Sequence, residues 1–482
     1  MRIRFQGLRL WRTGHQVDLV LDCDPSRELI DETGALKESG APSTCTIDLT
    51  GMVLAPAFQD PHVHFRDPGQ VEKEDMVTGC AAAAAGGYGQ VLILPNTEPA
   101  MDGWARMDDG RTVIEYLQDF EGDLGRPLPV HYALCVAASK DRAGQVPSNP
   151  DDWRIYLPSG RASRTNPGAA AHPVLAISDD GSAVTDRTLE AVAKAARDAG
   201  LPILDHCEHH DSGFINEGPV SRQLGLPGVP ASTELAIVQR DIDLARRTGT
   251  RVHLQHVSTA GAFQAIRQAK EEGLPVTCET APHYLALCDE DVLRLGTMAK
   301  MNPPLRSRRD QEATLRAVAD GTVDMIATDH APHTADDKAG GLDKAPNGII
   351  GLETAYAVCN QALVESGLIS HRRLIELMSL APADLLGTRV TRIEDMPRED
   401  STIDLTGTDD AGLVILDPTG EWTVDADRFH SKARNTPFQD WKVRGQVRAT
   451  IKDSDLVFSR IRADRVDWRQ THSREGRQVW TD

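Results

Sequence analysis

The sequence predicts an α/β protein, a (β/α)8 TIM-like barrel with a small composite β-sandwich domain built from both chain ends. Eight short apolar runs lie between residues 53 and 328, and most are followed by a helix-like segment. Further strand-like runs lie outside that stretch, at both ends of the chain.

Residues 1–54 form the N-terminal part of the small domain, with strands expected at Arg2–Leu10, Val17–Asp22 and Cys45–Leu49. The polar stretch Pro25–Thr44 interrupts them as an exposed excursion. The barrel is assigned to residues 55–390. Its strands are read as Val53–Phe58, Gln90–Leu94, Val130–Val136, Val174–Ser178, Pro202–Asp205, Arg251–Gln255, Pro275–Glu279 and Val323–Thr328. Met76–Ala85, Thr188–Ala199 and Ala236–Thr248 have the composition of helices between them. Small side chains in the first of these let a helix lie close on a barrel strand. Residues 391–482 return to strands at Gly412–Asp417, Gln446–Ile451 and Leu456–Ser459, then run into a polar tail from about Val466.

The 482 residues are 40% hydrophobic and 26% charged, enough apolar material for a large core. A net charge of -20 excludes nucleic acid and anionic membrane as partners, because both need a cationic surface. A small anionic substrate remains possible where Arg or a metal reverses the local field. Eight cysteines without a C-x-x-C pair read as reduced core thiols. The N-terminus alternates apolar and basic residues without an apolar signal core, so a cytoplasmic protein is expected.

The first chemical signal is Asp60-Pro61-His62-Val63-His64-Phe65-Arg66. In a strand, residues i and i+2 share a face, so His62 and His64 project together into the barrel mouth. Neutral imidazole is a common zinc ligand, and two on one strand give a rigid half-site. Later strand ends carry Ser178-Asp179-Asp180-Gly181, Asp205-His206-Cys207-Glu208, Gln255-His256-Val257-Ser258 and Thr328-Asp329-His330-Ala331-Pro332-His333. One imidazole or carboxylate per strand end can hold two divalent ions with an oxygen between them.

DPHVHFRDPG, the AAAAGGY run leading to PNTEP, SDDG, HCE, HVST, NPPLRS, TDHAPH, GLETA and ADRFHSKARNTPFQDWKVRGQV together resemble the class I dihydroorotases over nearly the whole chain. The resemblance implies two divalent metal ions per chain, zinc by default. His62 and His64 would bind one, His206 and His256 the other, with Asp179 bridging both. Asp329 would contact the first metal and act as acid/base. Arg66, Asn96, Asn302 and His333 would bind substrate together with His64, and the backbone at Asn347 and Gly348 would close over it. The implied activity is the reversible interconversion of L-dihydroorotate and N-carbamoyl-L-aspartate in pyrimidine biosynthesis. A hydroxide bridging two cations is nucleophilic near neutral pH. Asp329 can take the proton of the attacking water and give it to the leaving nitrogen. Arg66 can grip a carboxylate bidentately. Partners implied by the resemblance are a second copy of the chain and aspartate transcarbamoylase.

The resemblance has departures and alternatives. Many amidohydrolases bridge their metals with a carboxylated lysine, whereas here Asp179 is the candidate, its separation from His206 agreeing with the SDDG subgroup. Pro147–Pro173 is longer than the family suggests. Its Trp153-Arg154-Ile155-Tyr156-Leu157 resembles the lysine-bearing strand of other subgroups, with Arg154 in the lysine position. Asp180 could trade roles with Asp179 but is expected to fix the turn with Gly181, His330 to support its loop, and His253 to face away from the barrel axis. Cys207 is expected to be a buried thiol, and His209 and His210 solvated. A hydantoinase or allantoinase shares the chemistry, and an inactive dihydroorotase-like subunit scaffolding aspartate transcarbamoylase shares the motifs.

Overall fold

Alternation along the strands decides which side chains reach the site. In the computed structural model eight parallel strands, β1 (Phe58–Val63), β2 (Tyr88–Ile93), β3 (His131–Ala137), β4 (Val174–Ser178), β5 (Ile203–His206), β6 (Val252–Gln255), β7 (Val276–Thr280) and β8 (Met325–Ile326), pair in sequence order. The ring closes where β1 meets the chain after β8: Val63 bridges His330, and His64 N–H donates to the His330 carbonyl at 2.9 Å. Val91, Ile93, Leu134 and Val136 belong to the core shared with the surrounding helices. The alternate residues Leu92, Leu94, Ala133, Cys135, Leu175 and Leu204 form a separate interior cluster, closed from below by Leu385 and Leu386. The structure describes residues 2–22, 30–31, 44–158, 170–208, 213–406, 412–461 and 466–467. Most of Pro25–Thr44, the centre of Pro147–Pro173, His209, His210 and the tail after Asp467 lie outside the described residues.

Strands from both chain ends share a second sheet. Its order runs Thr402–Asp404, Gln16–Asp22, Arg2–Leu10, Val53–Pro56, Leu413–Thr423, Lys442–Lys452, Asp455–Ser459 and Ile30–Asp31, with Thr44–Asp48 also paired to Arg2–Leu10. Arg2–Leu10 changes partner at Gly7, where φ is 80° and an added Cβ would lie 2.4 Å from the Thr50 hydroxyl. A side chain is excluded there twice over.

One expected element is corrected. The run Val53–Phe58 is not one barrel strand. Val53–Pro56 pairs antiparallel with Leu413–Leu416 in the second sheet, and the chain changes sheets at Ala57. Ala57 N–H bonds the Gly412 carbonyl, and Phe58 N–H bonds the Gly87 carbonyl in the barrel. A short apolar run shows that a strand is buried but not in which sheet. Trp153–Leu157, which resembles the lysine-bearing strand of other subgroups, is helical here. Asn149 caps a helical turn at Pro150–Trp153 that runs into a 3-10 turn at Arg154–Tyr156, and Trp153 is buried beneath it.

Candidate metal centre

In β6 and β7, Val252, Leu254, Val276 and Cys278 face the helices, so His253, Gln255, Thr277 and Glu279 face inward. In β4 a bulge resets the alternation: Leu134 pairs with Val174 and Cys135 with Ala176, so Leu175 and Ala176 both meet the interior. Beyond the bulge the inward register is Ala176, Ser178, Asp180, while Ile177 packs toward the helices. Polar inward positions at the strand ends produce one cluster. Asp180 Oδ1 lies 3.4 Å from His62 Nε2, 3.3 Å from His206 Nδ1 and 3.8 Å from His256 Nε2, and Asp180 Oδ2 lies 3.4 Å from His64 Nε2. Asp329 Oδ1 lies 3.1 Å from His64 Nε2 and 3.4 Å from His62 Nε2. Ligand atoms of His62, His64 and Asp329, and those of His62, Asp180 and His256, converge closely enough to hold a cation.

The donor set fits divalent cations. Burial opposes charge on His62, yet Asp180, Glu279 and Asp329 outweigh it and hold the ring well above its usual pKa. Burial likewise opposes ionisation of Asp180 and Asp329, but the facing imidazoles keep both carboxyls well below the usual range. The pocket therefore gathers carboxylate charge, faced by a protonated His62 and by the guanidiniums of Arg66 and Arg142. His62 Nδ1 lies 2.7 Å from Glu279 Oε1, and the buried His62 Nε2 has no hydrogen-bond partner. With the Nδ1 proton donated to Glu279, the Nε2 lone pair is aimed into the cluster, as a metal ligand requires. His64 repeats the arrangement, with Nδ1 2.6 Å from Asn96 Oδ1 and Nε2 facing the carboxylates.

Buried struts hold the strand ends. His253 Nε2 lies 3.0 Å from the second Glu279 oxygen, and its Nδ1 is 2.8 Å from Thr277 Oγ1. Asp60 accepts from the His62 backbone and from the Thr328 hydroxyl, tying β1 to the chain after β8. Arg306 Nη2 donates to Glu208 at 2.6 Å, and Glu353 accepts from the His430 and Ser431 backbone. Several residues of the sequence motifs thus serve as scaffold.

An open cavity of about 320 Å³ lies above the cluster. His64, Arg66, Asn96, Asn302, His333, Asn347 and Gly348 all line it, with Arg142 among the rest. His206 Nε2 lies 2.9 Å from the Asn302 amide nitrogen. His333 Nε2 lies 2.7 Å from the Asn347 carbonyl oxygen, and the buried Nδ1 makes no hydrogen bond, lying 3.7 Å from Asp337 Oδ2. Asn435, from the C-terminal segment, donates to the Ala331 and Gly348 carbonyls and so joins the two loops. Gly348 has φ of 122°, and an added Cβ would lie 2.6 Å from the Ala331 Cβ. Arg66, His256 and Asp329 hold left-handed backbone at φ of 59°, 38° and 49°. Such strain gathers where a site must point a side chain off the regular strand.

Of the sequence-predicted residues, His62, His64, His206, His256 and Asp329 come together, and Asp179 does not. Asp179 accepts from the Ser139 N–H at 2.9 Å and from the Ser139 hydroxyl at 2.5 Å, beside rather than inside the cluster, and burial lifts it to about 6. Its neighbour Asp180 takes the central place, because Asp180 continues the inward register of β4. His253 is corrected as well, since its parity in β6 points it inward onto Glu279. Glu279 and Arg142 are functional candidates that sequence reasoning missed. The inward parity of β7 could have singled out Glu279. Cys207 is buried with its thiol pushed up by burial, and His330 Nδ1 accepts from the Gly351 N–H. His283 is buried and lies outside the cavity lining.

A barrel with imidazoles and carboxylates gathered at its C-terminal strand ends defines an enzyme of the metal-assisted kind. Residues 53–457 match the model of the amidohydrolase family. The chain is 38% identical over 469 residues to a dihydroorotase of Geobacter metallireducens, covering 95% of this chain and 100% of that one. It is 40% identical to a dihydroorotase of Anaeromyxobacter dehalogenans, covering 87% and 89%. Among solved structures, an L-hydantoinase (dihydropyrimidinase) from Arthrobacter aurescens superposes with TM-score 0.69 at 24% identity, covering 95% of this chain and 96% of that one. The chain therefore belongs to the amidohydrolase family and, within it, to the dihydroorotases, hydrolases that act on cyclic amides. Among the described residues, no helix is long and apolar enough to cross a membrane.

Proposed function

We propose that the chain interconverts L-dihydroorotate and N-carbamoyl-L-aspartate in the cytoplasm, as a step of pyrimidine biosynthesis. The supporting observation is the convergence of four imidazoles with Asp180 and Asp329 beneath a cavity that Arg66 lines. His62, His64 and Asp329 would hold one divalent cation, zinc by preference, and His206 and His256 a second, with Asp180 between them. Cations bound there supply Lewis acidity for the ring carbonyl and lower the pKa of water. Glu279 and Asn96 fix the tautomers of His62 and His64. Arg66 binds the substrate carboxylate, with Asn96, Asn302 and His333 around it. The loop at Asn347 and Gly348 closes the far wall. In the hydrolytic direction Asp329 takes the proton of the attacking water and passes it to the leaving ring nitrogen. In the synthetic direction it returns that proton. Residues 1–54 and 391–482 would act together as one supporting unit for the barrel.

The decisive experiment compares wild type with Asp329→Asn for dihydroorotate hydrolysis, carbamoyl-aspartate cyclisation and metal content. Turnover in wild type, with loss of at least about a hundredfold in the variant and metal retained, is expected. Wild-type activity on hydantoin but not on dihydroorotate would overturn the assignment.

A further inference from the structure

A second guanidinium faces the cavity from the chain after β3. Arg142 lines the same space as Arg66, and the Nε atoms of both are buried without a hydrogen-bond partner among the described residues. Arg142 and the preceding Asp141 have left-handed backbone, with φ of 54° and 52°, as Arg66 does. That conformation is held in place: Arg142 N–H donates to the Ser139 carbonyl at 3.1 Å, and Asp141 N–H donates to Asp102 Oδ2 at 3.0 Å. Strained backbone pinned by its surroundings marks a side chain aimed for use.

β1, β2 and β3 are neighbours in the barrel, so Arg66, Asn96 and Arg142 follow three successive strand ends. A Cβ added at Gly181 would lie 3.4 Å from Arg142 Nη2 and 4.0 Å from Asn96 Nδ2, which places both groups at one point of the wall. The acids nearest the two guanidiniums have other partners, Asp179 at Ser139, Asp180 at the imidazoles, Asp329 at His64 and Glu98 at the Gln70 amide. Two half-buried guanidiniums that share a cavity, each with a buried Nε unpaired and with the Asn96 amide between them, are satisfied by one anion.

We propose that Arg142 is a second ligand of the substrate carboxylate, binding it from the β3 side while Arg66 binds it from the β1 side. This rests on the dihydroorotase reading above. The test uses metal-loaded wild type, Arg142→Met and Arg142→Lys, with dihydroorotate as substrate and orotate, a carboxylated ring analogue, as competitive inhibitor. The methionine variant should raise both KM and the orotate inhibition constant about 10- to 100-fold, the range of one lost charge-assisted contact, with kcat within about threefold. The lysine variant should fall between, because it keeps charge without the bidentate fork. Metal content should match wild type. A fall in kcat with KM unchanged, or loss of metal, would show that Arg142 acts through Asp180, and would overturn the inference. Should the methionine variant fail to fold, an unchanged orotate constant in the lysine variant overturns it equally. Wild type that neither turns over dihydroorotate nor binds orotate would instead refute the activity itself.

Discussion

Replacing Glu279 should weaken metal binding in two graded steps. Its two oxygens hold His62 Nδ1 at 2.7 Å and His253 Nε2 at 3.0 Å, and the carboxyl, kept ionised at about 2 by these imidazoles against the effect of burial, is 1% exposed. No water can replace it. Glutamine keeps one acceptor for His62 if its NH2 turns to His253, which can shift its own proton to Nδ1 and donate to Thr277. Only the charge is then lost, and cation affinity should fall about tenfold, or about 1.4 kcal/mol. Leucine leaves both imidazoles without an acceptor in a dry interior and frees the His62 proton to move to Nε2, where it blocks the cation. About a hundredfold, or about 2.7 kcal/mol, is expected. Titration of metal-free protein with zinc against a competing fluorescent chelator measures both, with circular dichroism to verify folding. Zinc affinity in Glu279→Leu within twofold of wild type would refute the reasoning.

Asp180→Asn should lose metal, whereas Asp179→Ala should keep it but lose about 1–3 kcal/mol of stability, because the Ser139 N–H and hydroxyl are left unsatisfied; metal analysis and urea denaturation separate the two. Gly348→Ala should cost about 1–3 kcal/mol and raise KM, since its Cβ must displace the Ala331 loop; an unchanged melting temperature and KM would contradict this. His371, whose Nε2 lies 2.8 Å from the Tyr356 hydroxyl, is pushed down by burial to about 4. Between that value and about 6.5 the unfolded chain binds the extra proton, so stability falls as pH falls through this window. The side chain is partly exposed, so the loss should be about 1–2 kcal/mol, and His371→Gln should remove it from the pH profile of urea unfolding in metal-free protein.

The barrel was legible because apolar runs of strand length recur with helices between them, and His62-x-His64 was legible because alternation puts both on one face. What remained hidden depended on parity and on sheet membership. Asp179 and Asp180 are adjacent, and a spacing counted back from His206 cannot choose between them when helix length varies by one residue. The inward register from Ala176 can, but it starts after a bulge at Leu175 that an apolar run does not reveal. His253 was misread for the same reason, since its parity follows Val252 and Leu254, not the distance to His256. Arg142 stands in a loop where two non-glycine residues, Asp141 and Arg142, take the left-handed conformation ahead of Gly144, which a residue pattern does not announce.

The strand Val53–Pro56 leads directly into the residues that carry His62 and His64, and it lies between Arg9–Leu10 and Leu413–Leu416. During synthesis the entry to β1 must wait for more than three hundred residues before its second neighbour emerges. Pairings this distant in the chain form late, because loop closure has to be met before contacts repay it. Truncation near residue 410 should therefore leave Val53–Pro56 as an open edge of the second sheet immediately ahead of β1, a substrate for chaperones rather than an enzyme.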